Sequence, residues 1–286
     1  MNRSCRLILF AVFIWPLTTA ASRAITPTTE NTEAAQTSPL SRAHAHNDYL
    51  HSRPLLDALS HGFCSVEADV FLVDGKLLVA HERSELQADR TLESLYLDPL
   101  LRRVRENGGR VHPGRPGFTL LVDFKSDGEE TYEALDRILA GYKEMLTTVE
   151  QGIVEKNAVT VIVSGNRAWQ RISSDSLRYA GVDGRLSDLG STRPSHLMPL
   201  ISDNWEKYFG WSGKGPMPEA ERAELRRIIQ EAHNQQRRVR FWATPDRPSP
   251  ERTAIWIELL AAGVDHIGTD DLAGLRAFLL SAEDQE

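Results

Sequence analysis

The feature that most constrains this chain is an alternation. From about residue 42 onward, short β-branched or aliphatic runs take turns with stretches of helical periodicity. Runs of that kind suit strands buried on both faces, and a helix between successive strands lets them pair in parallel. The runs fall at 42–46, 64–70, 77–80, 118–124, 158–164, 197–202, 238–243 and 265–268, with a weaker one at 180–186. That is about the number an eight-stranded barrel needs. Between them, 129–149 carries Leu135, Ile138, Leu139, Tyr142, Leu146 and Val149 on one helical face, 219–236 does so less regularly, and Pro250 opens a helix that Gly263 stops. The expected fold is therefore α/β, a (β/α)8 TIM barrel, with no internal repeat and no second domain.

The barrel is expected to occupy residues 41–286. Residues 1–24 read as a signal peptide: Arg3 and Arg6 precede the apolar run from Leu7 to Leu17, and small and polar residues follow. That run is too short to span a bilayer. Residues 25–40, rich in Thr, Pro, Ser and Glu, read as a disordered spacer. Removing the signal takes three arginines with it and deepens the formal charge from −7 to about −10. An acidic surface of that size repels polyanions and excludes broad electrostatic binding of nucleic acid. Of the two cysteines, Cys5 leaves with the signal and Cys64 has no second thiol to pair with, so stability must come from the core. The expectation is a secreted or periplasmic protein with no stable membrane insertion after cleavage.

Three segments place polar groups two residues apart at the end of an apolar strand: His44 and His46 in AHAHNDY, Glu67 and Asp69 in SVEADVFL, Asp123 and Lys125 in LLVDFKSDG. Residues i and i+2 of a strand share a face, so each pair is expected to project into the barrel, where the C-terminal strand ends build active sites. Three carboxylates gathered in an apolar barrel repel one another, and one divalent cation would relieve that. Oxygen donors of this type suit Mg²⁺ or Ca²⁺. Lys125 adds positive charge where a phosphate could sit, and His81, closing LLVAHE, is expected at the same rim as Glu67 and Asp69. Two histidines flanking a cation can serve as acid and base.

The order His46, Glu67-x-Asp69, His81, Asp123-x-Lys125, closed by HIGTDD, resembles the superfamily of glycerophosphodiester phosphodiesterases, phosphatidylinositol-specific phospholipase C and spider-venom sphingomyelinase D. The AHAHNDY opening is similar to the branch that includes fungal altered-inheritance-of-mitochondria proteins. The resemblance runs from about residue 42 to 271. It implies a phospholipase C-like TIM barrel that hydrolyses phosphoric diesters of a small-molecule or lipid substrate, in some members through attack by a neighbouring substrate hydroxyl that yields a cyclic phosphate. By the same resemblance Glu67, Asp69 and Asp123 hold the metal and His46 and His81 are the acid/base pair. The resemblance likewise implies that Lys125, Trp242, His44 and Asn47 contact substrate. His46 is preferred to His44 because its neighbour Asn47 and its spacing of 21 residues to Glu67 are similar to the sphingomyelinase D pattern. The chain departs from glycerophosphodiesterases in having His46, Asn47 and Asp48 where those enzymes carry His-Arg-Gly, and in lacking Glu-Asn-Thr.

Two other readings use the same residues. His44-x-His46 with Asp270 also resembles the ends of zinc-dependent amidohydrolase barrels, and a non-catalytic barrel could hold a phosphorylated ligand or a metal. Asn166, Asp203 and Trp205 are weaker candidates for the pocket wall. Arg226, Arg227, Arg237 and Arg238 read together as a solvated helix face.

Overall fold

The computed structural model describes residues 38–114 and 117–283. The expected signal peptide and most of the spacer lie outside the described residues. Twelve strands are described: β1 (Leu40–Ala45), β2 (Phe63–Val73), β3 (Lys76–Val79), β4 (Phe118–Phe124), β5 (Thr148–Glu150), β6 (Ile153–Glu155), β7 (Val159–Gly165), β8 (Leu177–Arg178), β9 (Ala180–Gly184), β10 (Leu200–Asn204), β11 (Arg238–Trp242) and β12 (His266–Thr269). Eight of them, β1, β2, β4, β7, β9, β10, β11 and β12, pair in parallel in that order, and β1 pairs with both β12 and β2. The sheet therefore closes on itself, and the fold is the expected (β/α)8 barrel.

The alternation of side chains along the strands divides the core in two. Val66, Ala68, Val70, Leu120, Val122, Val161, Val163, Val239 and Ile267 point outward into the main core cluster beneath the helices. The inward residues are mostly polar, with one apolar ring of Leu121, Ile162 and Leu200. The β4/β7 register orders them by height: Thr119 opposite Thr160, then Leu121 opposite Ile162, then Asp123 opposite Ser164. On this side of the barrel an apolar layer thus lies between a polar floor and a polar mouth, and the mouth lies at the C-terminal ends of the strands.

Three expectations are corrected. The run at 77–80 forms β3, which turns back antiparallel onto β2 outside the barrel, and the weaker run supplies the eighth barrel strand as β9. The helix expected over 129–149 spans Gly128–Ala140, where the Asp127 side chain caps its first turn and Gly141 follows its last. Leu146 then bridges Val159, and Val149 lies in β5 of a small sheet ordered β6-β5-β8. The four arginines do not share a face: Arg226 and Arg227 are on the helix Glu219–Asn234, whereas Arg237 is buried on the carbonyls of Asp188, Ser191 and Arg193 and Arg238 begins β11. Among the described residues no helix is long and apolar enough to cross a membrane.

After β1 the chain makes a 3-10 turn, Asp48–Leu50, which buries Asp48 completely. Its Oδ2 accepts the Leu55 amide at 2.6 Å, and burial pushes the carboxyl up to about 7. The folded chain then holds a proton that the unfolded chain has released above roughly pH 4. This group's contribution to stability is full below the unfolded value and is lost as the pH rises through about 7. Asp48→Asn is therefore expected to leave the Tm nearly unchanged in mild acid and to raise it above neutrality. Thermal unfolding across that pH range checks this, and a Tm difference that does not widen with pH would contradict it.

Candidate active site

His46 follows β1 and Asp270 follows β12, so barrel closure brings together groups more than two hundred residues apart. The His46 amide donates to Thr269 O at 3.1 Å, and its ring Nδ1 lies 2.9 Å from Asp270 Oδ1. Asn47 takes a left-handed conformation (φ 47°), which asparagine tolerates better than most residues, and its amide reaches Asp270 Oδ2 at 3.3 Å. Asp270 is an ionised acceptor: burial opposes its charge, but the His46 bond holds it below the usual carboxylate range. The ionised carboxylate favours a proton on His46 Nδ1, while the Asn47 amide nitrogen lies 3.0 Å from the same atom. Burial works against a charged His46, yet the Asp270 bond and the Glu67 charge outweigh it and raise the imidazole above its ordinary value. His46, Asp270, Arg240 and the half-exposed Trp242 line a cavity of about 110 Å³.

Beside this pair, the interior holds a buried ionic group. Arg240 Nη2 donates to Glu67 Oε2 at 2.5 Å, and His44 Nε2 lies 3.3 Å from the same oxygen. The other ring nitrogen of His44 is 2.7 Å from Ser65 Oγ, so both are engaged and the ring is 1% exposed. Burial, then the Arg240 charge, lowers His44 to about 4, so it is neutral. Burial alone would raise Glu67, but the Arg240 guanidinium holds it well below the carboxylate range.

Asp69 and Asp123 sit opposite each other in the β2/β4 register, and Lys125 donates to both, at 3.0 Å from Asp69 Oδ2. The same Asp69 oxygen is 2.7 Å from Tyr49 Oη and 3.0 Å from His81 Nδ1. Burial, then the charge of Glu67, raises Asp69, and its Oδ1 is buried without a hydrogen-bond partner. Gly165 (φ +66°) ends β7 against this group, and a Cβ there would stand 2.8 Å from Asp123 Oδ1, so the position needs glycine for backbone and space alike. His81 lies in the loop after β3 with its side chain half exposed. Among the described residues no three His, Cys, Asp or Glu side chains already enclose a point where a metal could sit; Arg240 and Lys125 hold the carboxylates instead.

The far wall carries Asp183, wholly buried, 2.9 Å from Ser164 Oγ and 2.7 Å from Arg185 Nη1, with Ser202 also donating to it. Of the weaker candidates, Asp203 accepts from the Leu186 amide and the Tyr208 hydroxyl. Asn166 donates to Ser126 O. Trp205 is not pocket wall: it is 1% exposed and packs on Phe209 and Phe241.

Every expected pair does share the barrel interior, and three groups were missed. Arg240 stands two residues before Trp242 on β11 and is legible by the same i, i+2 rule. Tyr49 lies within AHAHNDY but reads as a core aromatic, and Asp183 follows a weak strand. Arg240→Met would strand the buried Glu67 charge and is expected to cost about 3–5 kcal/mol, while Glu67→Gln with Arg240→Met should cost much less than the two separate losses together. Urea unfolding of the four proteins checks this, and strictly additive losses would contradict it.

The model of the AIM6-like phosphodiesterase domain matches residues 34–182 of this chain. The Altered inheritance of mitochondria protein 6 homolog of Arthroderma benhamiae is 30% identical over 261 residues, covering 82% of this chain and 82% of that protein. The Altered inheritance of mitochondria protein 6 of Eremothecium gossypii is 31% identical over 274 residues, 84% of this chain and 69% of its own length. In Saccharomyces cerevisiae the protein of that name is 29% identical over 273 residues, 81% and 67% of the two chains. With a closed parallel barrel and these matches, the chain belongs to the AIM6-like phosphodiesterase family, a branch of the phospholipase C-like phosphodiesterase barrels.

Proposed function

We propose that this barrel hydrolyses a glycerophosphodiester- or phospholipid-like substrate, with His46 and His81 as acid and base and one divalent cation at Glu67, Asp69 and Asp123. The observation that carries the reading is the matched setting of the two imidazoles. Each has Nδ1 on a carboxylate, Asp270 for His46 and Asp69 for His81, which leaves Nε2 of each ring for proton exchange. One takes the proton from the attacking water or substrate hydroxyl and the other delivers a proton to the leaving oxygen. His44 is unsuited to either role, because Ser65 and Glu67 occupy both its nitrogens. Lys125 and Arg240 supply fixed positive charge for the phosphoryl oxygens, and charge placed in advance is the main resource in such displacements. Trp242 and Asn47 border His46, where they can position the substrate body.

The residues fit a hard cation in one specific respect. Asp69 keeps a buried oxygen with no partner, and its carboxyl is raised by burial and by Glu67, which marks a place short of positive charge. Mg²⁺ or Ca²⁺ bound there would neutralise charge developing on a non-bridging phosphoryl oxygen. The ion pairs of Glu67 with Arg240 and of Asp123 with Lys125 favour a second reading, in which these two cations suffice without a metal. The chain is proposed to act after export.

His46→Ala and His81→Ala are each expected to lower kcat on a chromogenic phosphodiester by about 10²–10⁴-fold with the Tm unchanged. Full turnover in both variants would remove the acid/base assignment. Separately, EDTA treatment is expected to abolish turnover, and added Mg²⁺ or Ca²⁺ to restore it. Activity that survives rigorous chelation, yet falls with Arg240→Gln, would favour the metal-free reading.

A further inference from the structure

The barrel's opposite, N-terminal end raises the converse charge problem. Two clefts adjoin there, sharing Gly117, Thr160 and Arg238 in their walls, of about 380 and 690 Å³. The larger lies within the range of small-molecule sites, roughly 300–1,000 Å³. Its charged wall is entirely basic among the described residues, with Lys156, Arg178 and Arg238 beside His196. On a chain of net charge −7 that is a local reversal.

Two of these cations are built in. Arg178, on β8, is 5% exposed. Its Nη2 donates to His196 Nδ1 at 2.7 Å, and its Nη1 is buried with no partner. Arg238, at the start of β11, donates through Nη1 to Thr119 Oγ1 at 2.7 Å and to His266 Nε2 at 2.9 Å. Each guanidinium thus leans on an imidazole nitrogen that must be unprotonated to accept it. Burial and the neighbouring arginine hold both histidines below their ordinary value. Neither arginine is in an ion pair among the described residues: Arg178 feels Asp175, and Arg238 feels Asp265, only at longer range. Asp265 is itself taken by His233 and the Val239 amide. A buried guanidinium without a carboxylate is costly, and an incoming anion is its natural partner.

Beside neutral polar groups such as Thr147, Asn157 and Gln236, the larger cleft has an apolar stretch of wall formed by Val149, Val161, Tyr179, Pro199 and the rim residue Val154 of the β5–β6 hairpin. We propose that the N-terminal end of the barrel holds a second ligand site, separate from the mouth, for an organic anion: a phosphate or carboxylate on Arg178 and Arg238, with an apolar body along the valine-lined wall. Nothing in this proposal depends on the chemistry assigned to the mouth.

Calorimetric titration of the full chain with octyl phosphate, inorganic phosphate and octyl glucoside tests it. Octyl phosphate is expected to bind saturably, inorganic phosphate more weakly, and the neutral glucoside not at all. Arg178→Gln or Arg238→Gln should weaken octyl phosphate by about tenfold or more, the worth of one charge-assisted hydrogen bond. Because either change could disturb folding, Val154→Asp and Lys156→Glu on the exposed rim should weaken it in the same direction with the Tm unchanged. Octyl phosphate could also enter the mouth, so Lys125→Gln is titrated alongside and is expected to leave the N-terminal binding intact. Absence of saturable binding by the folded chain would overturn the proposal. So would binding that Lys125→Gln removes while the arginine and rim variants leave it unchanged.

Discussion

Strand β1 is held by β2 on one side and by β12 on the other, and this double pairing is the constraint on which the rest of the molecule depends. An open sheet of the same strands would leave β1 and β12 at separate edges. His46 and Asp270 would then lie apart, and Asn47 would have no carboxylate to bridge. Closure also forms the interior that Arg240 and Glu67 share, although they come from β11 and β2, strands that do not pair with each other. The long-range polar contacts of the mouth are thus a consequence of sheet topology before they are a matter of side-chain chemistry.

Once the barrel closes, its interior must reconcile carboxylates brought in from separate strands, and the structure does so by division. Glu67 goes to Arg240 and His44, Asp69 and Asp123 share Lys125, and Asp183 goes to Arg185 and two serines. The division is incomplete, because Asp69 Oδ1, Asp183 Oδ1 and Arg240 Nε are all buried without partners. Groups left in that state retain unspent hydrogen-bonding capacity in a low dielectric. They are the places where a substrate oxygen, a cation or an ordered water gains most on arrival.

Much of the barrel was legible because its strands are buried on both sides, which makes them apolar runs that stand out from the helices. The strands were harder to read where local turns and small residues decide the outcome. The run at 77–80 is as apolar as a barrel strand, yet only the turn at Asp74 and Gly75, both with positive φ, sends it back along β2. β9 is short and carries Gly181, Asp183 and Gly184, because Pro199, Met198 and Ile201 crowd its glycines and its acid faces inward. Helix periodicity past Gly141 misled because Leu146 and Val149 remain buried while the chain changes to bridge and strand. The i, i+2 rule reached His46, Glu67, Asp69, Asp123 and Lys125 because strand geometry makes it nearly compulsory. Arg240 lies on the same strand face as Trp242, but an arginine between apolar strand residues gives no sequence sign that its partner is a carboxylate on β2.

Strand β11 also links the two ends of the barrel. Arg238 and Arg240 are themselves an i, i+2 pair, so both face inward, one at the floor and one at the mouth. Between them the histidine rings of His266 and His44 lie 5.9 Å apart, and each ring meets one member of the pair's surroundings: His266 accepts from Arg238, and His44 shares Glu67 with Arg240. The apolar ring of Leu121, Ile162 and Leu200 fills the opposite side of the barrel at mid-height. At mid-height the interior is therefore polar along β11, β12 and β1 and apolar along β4, β7 and β10. His266 feels both ends of this wall: burial comes first, and the charges of Arg238 and, after it, Arg240 help hold the imidazole well below its ordinary value.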